Sequence, residues 1–328
     1  MQESIYRTLL RRSWFTVTQN KLLWALGFFA AFLGGSGEYE FLLNLYNDVS
    51  EVGLSTGANI LTLGGFGGEA FVDLFTQLAA VFSVRAVFVF AVFVLVSLLL
   101  YGIVMVAQGG LVWGIASIEK AKSFSLSESI ARGVASFWQL LVIGIETRLL
   151  ALFVFAVIGF PLFSVMLMTN NSSEVQVLLL VIYTIGIPAS ILFSIVAKYA
   201  ISFRMIERTS GWESVVRGMR LLGSNWLVSI EMAVVLFVVS IFAGIGFVLG
   251  LLFLAIPFVL MGLLLGQISF IGLQVLLGIG VVGVVALLLA FASALTSFQF
   301  SVWTMLSLEL RKGVRPPKLV RMLTHWRQ

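Results

Sequence analysis

Five ionisable side chains stand inside long apolar runs of this chain, Glu146, Arg148, Lys198, Arg204 and Glu231, and a sixth, Lys21, borders another. In hydrocarbon an unpaired charge is costly, so such residues pair with one another, reach for the interface, or serve a ligand or proton path. Glu146 lies eight residues past Trp138 and Lys198 eight before Ile206. On neighbouring antiparallel helices the two share a depth, and an ion pair between them is expected. Counted from the Glu of a repeated motif described below, Lys21, Glu146 and Glu231 are equivalent positions if no gap intervenes. Three such positions on a pseudo-threefold arrangement would converge as a central charged cluster. The other reading places all three within two turns of the inner interface, where they snorkel or brace neighbouring helices. The sequence allows both.

Reactive chemistry is otherwise scarce. There is one histidine, His325, in a basic tail, and no cysteine at all. That argues against a histidine metal site, a thiolate site, a Cys nucleophile and a Ser-His-Asp arrangement. We expect no catalytic residues, no metal and no cofactor, and a chain that is not an enzyme.

The elements that must hold these charges follow from composition. Sixty per cent of the 328 residues are hydrophobic and 11 per cent charged, against about 25 per cent charged in soluble domains. The fold class is an all-α polytopic membrane protein. Apolar runs measured against the roughly 20 residues a bilayer needs predict six spans, near 22–35, 86–118, 137–169, 177–206, 226–265 and 269–307. The first is short, so its helix is expected to begin upstream near Phe15. The fifth has weak points at Gly244, Gly246, Gly250 and Pro257, where it either kinks or contains a re-entrant piece. No cleavable leader is expected, the first apolar run serving as an uncleaved anchor.

Lys and Arg set the orientation. They populate the N-terminal segment, residues 119–136, residues 207–225 and the tail, and are missing from 36–84, 170–176 and 266–268, with only Arg85 at that membrane edge. Both termini are therefore expected in the cytoplasm, in a multi-pass cytoplasmic (inner) membrane protein. The net charge of +5 is a topology signal, and no nucleic-acid partner is implied.

An offset of 85 residues superposes Glu128 on Glu213, Arg132 on Arg217, Gly133 on Gly218 and Glu146 on Glu231, and Glu3 with Arg7 supplies a third copy. The spans also leave the membrane alike, through "SIEK" at 117–120, "MIER" at 205–208 and "SLEL" at 307–310. This predicts three hairpins of two helices, each preceded by an interfacial amphipathic helix: 1–118, 119–206 and 207–308, with 309–328 as a basic amphipathic tail. In the second and third copies Ser125 and Ser210 stand three before the Glu, the spacing of a helix N-cap with Glu at the third position. The Arg four residues on shares the Glu's face. The motif reads as structural punctuation. Leu126, Ile130, Val134 and Phe137 form an apolar stripe suited to the inner interface, with Trp14, Trp24, Trp138 and Trp226 as anchors. Two surface helices are expected at 37–52 and 69–84. The tail, with Lys318, Arg321 and Arg327 around Leu319, Met322, Leu323 and Trp326, suits anionic lipid headgroups at the cytoplasmic face.

The segments "RRSWFTVTQNKLLWALGFFAAF", "SLSESIARGVASFWQLLVIG" and "ERTSGWESVVRGMRLLGSNW", alternating with long apolar hairpins, resemble the bacterial membrane-domain superfamily related to the membrane portion of glycerophosphodiester phosphodiesterases. Nearly the whole chain takes part in the resemblance. Its stand-alone members are mostly uncharacterised, so it implies a membrane fold and carries over no site residues. The soluble catalytic barrel of that family has no counterpart within this chain, and its activity is not expected. The function expected is a non-enzymatic inner-membrane protein that handles lipid or another small amphiphile, as transporter or accessory subunit. The alternative is a membrane scaffold that recruits or stabilises a partner protein. The topology has a direct check: cysteines placed at Ser55 and Ser173 are expected to react with an impermeant thiol reagent in intact cells and one at Ser210 is not, and the reverse pattern would invert the orientation.

Overall fold

Ser125 and Ser210 do cap the helices they precede. In the computed structural model, which describes residues 5–31, 84–121, 124–168 and 172–313, each hydroxyl accepts the amide of the residue three on, Glu128 or Glu213, at 3.4 Å. The helices they open are α4 (Leu126–Ala135) and α7 (Gly211–Ser224), and a third amphipathic helix is α1 (Ile5–Gln19). The other described elements are α2 (Leu22–Ala31), α3 (Val84–Glu119), α5 (Phe137–Met168), α6 (Ser172–Glu207), α8 (Trp226–Ile268) and α9 (Phe270–Arg311). The described residues are helical, with no strand. Five of these helices, within α3, α5, α6, α8 and α9, are long and apolar enough to cross a membrane.

Short polar residues mark where each amphipathic helix gives way to an apolar one. Asn20 separates α1 from α2, Ser136 separates α4 from α5, and Asn225 separates α7 from α8. Their side chains compete for nearby backbone carbonyls. Asn20 Nδ2 donates to the Thr16 carbonyl at 2.9 Å and Asn225 Nδ2 to that of Leu221 at 3.2 Å. The backbone bonds resume at once, the amides of Leu140 and Ser229 reaching the carbonyls of Ser136 and Asn225. The first apolar helix therefore begins after Asn20 rather than near Phe15. As described, α2 is only 10 residues long; the rest of the expected first span, the outer segment 36–84 up to residue 83, Glu3 and the tail from residue 314 lie outside the described residues.

The expected break in the fifth span is not there. α8 runs unbroken through Gly244, Gly246, Gly250 and Pro257, and its 43 residues rise about 64 Å at 1.5 Å per residue. A Cβ added at any of the three glycines would meet nothing within 4 Å, so none of them serves a close contact. A proline's freed carbonyl is tolerated in such helices when local adjustment satisfies it. Ser269 alone joins α8 to α9, in extended conformation (φ −155°, ψ 117°), and its hydroxyl caps α9 by accepting the Gly272 amide at 3.2 Å.

Packing divides the described residues into two compact units, one drawn from 1–35, 107–132 and 220–328, the other from 36–106 and 133–219. In the first, α2 and α1 lie along α9. Ser297 Oγ donates to the Leu23 carbonyl at 3.0 Å, Ser293 Oγ donates to the Trp24 carbonyl, and Ser13 Oγ lies 3.3 Å from Met305 Sδ. Gly27 lets α2 approach, since a Cβ there would overlap Ser297 Oγ and the Ser293 carbonyl. In the second unit α5 packs beside α6, and Gly218 of α7 sits against α6, where a Cβ would stand 3.0 Å from the Val196 carbonyl. Gly133 of α4 meets the Val106 carbonyl in the same manner. Among the described residues the burial of each long helix gathers toward the end beside the charged connections: Val104, Leu111 and Ile115 in α3, Leu140 and Ile143 in α5, Ile195 and Tyr199 in α6, Met232 and Leu236 in α8, and Phe300 to Leu306 in α9. The far ends expose Phe93, Phe153, Phe253 and Val282.

Gly27→Ala is expected to lower the thermal midpoint by the equivalent of about 1–3 kcal/mol, the usual cost of overpacking, because a backbone carbonyl cannot step aside. Gly244→Ala is expected to be neutral, or to stabilise by up to about 1 kcal/mol through helix propensity. Thermal unfolding in one detergent measures both, and equal losses would mean that the close approach at Gly27 contributes nothing.

Candidate functional site

The repeated motif resolves into ordinary helix chemistry. Glu128 pairs with Arg132 at 3.8 Å and Glu213 with Arg217 at 2.6 Å, each across one helical turn. The carboxylate turns toward the Arg, so the serine supplies the cap. The serine after each Glu is fully buried: Ser129 Oγ donates to the Ser125 carbonyl at 2.9 Å and Ser214 Oγ to that of Ser210 at 2.6 Å. A Cβ added at Gly114 of α3 would stand 3.1 Å from Ser129 Oγ, so a larger residue at 129 has no room. Arg132 also lies 5.8 Å from the Trp113 ring, a cation–π contact.

The glutamates that close the long helices are held by the same amphipathic helices. Arg217 of α7 reaches Glu207 at the end of α6, at 2.7 Å. Arg12 of α1 reaches Glu309 near the end of α9 at 3.6 Å and also pairs with Glu119, the last residue of α3. The α1 arginine that meets helix ends is therefore Arg12, whereas Arg7 is exposed. All these pairs are substantially exposed, and each is worth at most about 1 kcal/mol. They orient helix ends more than they stabilise them.

The charges expected to converge occupy unequal positions. Lys21 is exposed and sits directly at the break before α2, Glu231 lies in the second turn of α8, and Glu146 lies in the third turn of α5. The ungapped equivalence fails because the preceding amphipathic helices differ in length, 15, 10 and 14 residues. Lys21 and Glu231 belong to one compact unit and Glu146 to the other. Glu231 accepts a hydrogen bond from the Tyr6 hydroxyl through Oε2, while its Oε1 is buried with no hydrogen-bond partner. Glu146 is half-buried, and its Oε2 likewise has no partner, so the expected bond from Lys198 does not reach that oxygen. Lys198 is buried, 7 per cent exposed. Arg204 caps the end of α6, donating to the carbonyls of Arg208 at 3.2 Å and Thr209 at 2.7 Å. Arg208 turns the chain there in the left-handed conformation, φ 59°. Arg148 is exposed, its guanidinium carbon 4.7 Å from the centroid of the Tyr101 ring.

Tyr6, Tyr101 and Arg12 were not legible as partners. Nothing in their spacing marks them, although the "Ile-Glu-base" endings do flag the glutamates that Arg12 and Arg217 hold. Among the described residues no three His, Cys, Asp or Glu side chains gather as metal ligands. What the arrangement offers chemically is a pair of carboxylates, Glu146 and Glu231, each with one oxygen free to accept a hydrogen bond or a proton. Compared with protein-family models, with curated proteins and with solved structures, the chain matches none.

Tyr6→Phe leaves the Glu231 carboxylate without its donor and is expected to destabilise by about 1–3 kcal/mol, the cost of orphaning a buried polar group. Combined with Glu231→Leu, the second change is expected to recover part of that loss. A double-mutant cycle by thermal unfolding measures the coupling, and additivity of the two changes would show that the bond is not formed in the membrane protein.

Proposed function

We propose that the chain is a non-enzymatic inner-membrane protein that handles a lipid or another small amphiphile, as transporter or accessory subunit. One observation carries the reading: among the described residues α3, α5, α8 and α9 each divide into an exposed apolar far end and a packed end, and the packed ends hold charged and orphaned polar groups. An amphiphile is divided in the same way. Within each compact unit taken by itself, its chains match the exposed helix surfaces, of α3 and α5 in one and of α8 and α9 in the other, and its headgroup matches the carboxylate at the packed end, Glu146 in the one and Glu231 in the other. On this reading the far ends cross the bilayer, the basic connections and both termini are cytoplasmic, and the six spans form three repeated hairpins, each led by its amphipathic helix. The two copies of Ser-Glu-Arg-Gly at α4 and α7, alike in order and spacing and each packed by its glycine onto the preceding long helix, support the repeat. Kinship with the membrane superfamily named above belongs to the same proposal.

The scaffold alternative draws on the length of α8 and α9, 43 and 42 residues, well beyond a hydrocarbon core of about 30 Å. A hairpin of that reach offers surface to a partner protein. The two readings separate on ligand binding. Wild-type protein in detergent micelles is expected to bind a fluorescent phospholipid analogue above the level of empty micelles. The Glu146→Gln, Glu231→Gln double variant is expected to bind at least tenfold more weakly, with helical content and thermal midpoint preserved. Binding no stronger than to empty micelles, or equal binding by the variant, overturns the amphiphile reading at these glutamates.

A further inference from the structure

Arg148 presents a guanidinium on an exposed face of α5, and its position along the helix is informative. Residues 149–168 of α5 and 84–103 of α3 each rise about 30 Å at 1.5 Å per residue, which is the thickness of a hydrocarbon core. Arg148 is the last charged residue before 149–168, and on α3 the exposed apolar side chains end at Ile103, beside Tyr101, while on α5 they form one stripe from Trp138 through Val142, Ile145 and Leu149 to Phe160. Arg148 and Tyr101 therefore stand together at one boundary of the core, where phosphodiester groups lie.

The local geometry prepares a donor pair. The guanidinium rests over the Tyr101 ring, an arrangement that orients it while its N–H fork makes no ion pair with a carboxylate among the described residues. The Tyr101 hydroxyl is buried and has no hydrogen-bond partner. It abuts Gly144, one helical turn before Arg148, where a Cβ would overlap it. Phenylalanine at 101 would fill the same space without orphaning a polar atom, and a residue larger than glycine at 144 would expel the hydroxyl. A planar fork beside a phenol donor fits the oxygens of a phosphodiester, which accepts from both at once.

We propose that Arg148 and Tyr101, set by Gly144, form a binding site for the phosphodiester group of an inner-leaflet phospholipid, with its acyl chains along the exposed faces of α3 and α5. The inference rests on the membrane placement proposed above, but not on Glu146 or Glu231.

The experiment places wild-type, Arg148→Gln, Arg148→Lys, Tyr101→Phe and Gly244→Ala proteins in nanodiscs. One set contains phosphatidylglycerol in a phosphatidylcholine background, the other a phosphate-free galactolipid, and retained lipid is counted by native mass spectrometry after release. Wild type is expected to retain a phospholipid and not the galactolipid. Retention is expected to fall at least tenfold in Arg148→Gln, less in Arg148→Lys and severalfold in Tyr101→Phe, and to persist in Gly244→Ala, where an added Cβ meets nothing within 4 Å. Circular dichroism and elution volume identify any variant that has not folded, and the Lys variant then carries the comparison. Retention unchanged in Arg148→Gln and Arg148→Lys, or equal retention of galactolipid, overturns the site. Wild-type behaviour of Tyr101→Phe overturns its two-donor form. Equal loss in Gly244→Ala would overturn this site, whereas failure of the glutamate reading is read separately, from the Glu146→Gln, Glu231→Gln variant in micelles. Protection of lipid-free micellar protein by inorganic phosphate, equal to that by phospholipid, would assign the site to free phosphate and overturn the lipid assignment.

Discussion

The packed ends of this protein depend on one constraint: helix backbones must come close enough for hydroxyls and carbonyls to meet across them. Between apolar helices in lipid there is no hydrophobic drive, so close approach and interhelical hydrogen bonds supply the association. Gly27 brings α2 onto the serines of α9, and Gly110, Gly114 and Gly133 bring α3 and α4 together. Gly218 seats α7 on α6 in the same way. Each contact places a donor or a carbonyl where a methyl group would otherwise intrude. The α9 face that receives α2 and α1 is accordingly lined with Ser293, Ser297, Thr304 and Ser307, polar residues that are small enough to be buried there.

Around those contacts the charges are arranged as fasteners of unequal kind. Arg12 and Arg217 fasten helix ends from outside, in water, where the gain is small. Tyr6 fastens α8 through Glu231 from a more enclosed position, where loss of one partner is felt by the other. Glu146 and Arg148, two residues apart on α5, point to different sides of the helix: one carries an orphaned oxygen, the other a guanidinium over an aromatic ring.

Sequence legibility was high where a single helix decides the outcome and low where two must meet. The caps at Ser125 and Ser210, the Glu128–Arg132 and Glu213–Arg217 pairs and the membrane character of the long helices follow from spacing within one element, and they appear as expected. The start of the first apolar helix was misplaced because Asn20, a short side chain that takes its own backbone's carbonyl, outweighs the continuous run of apolar residues around it. Pro257 and its neighbouring glycines read as breakers on propensity, yet α8 continues because nothing in its surroundings exploits the weakness. Lys21, Glu146 and Glu231, equidistant from Glu3, Glu128 and Glu213 along the chain, stand at different distances from the starts of their apolar helices, because the amphipathic helices before them have 15, 10 and 14 residues. Tyr101 and Gly144 have no signature at all, since their relation exists only between helices.

The one-residue turn at Ser269 has a consequence for biogenesis. From Trp226 to Leu308 the chain carries a single charged side chain, Glu231, near one end of the pair, and the turn itself brings only a serine hydroxyl already engaged by the Gly272 amide. Two helices so joined cannot diverge and need no charged segment drawn through the bilayer between them. They are built to enter the membrane together, as one preformed insertion unit.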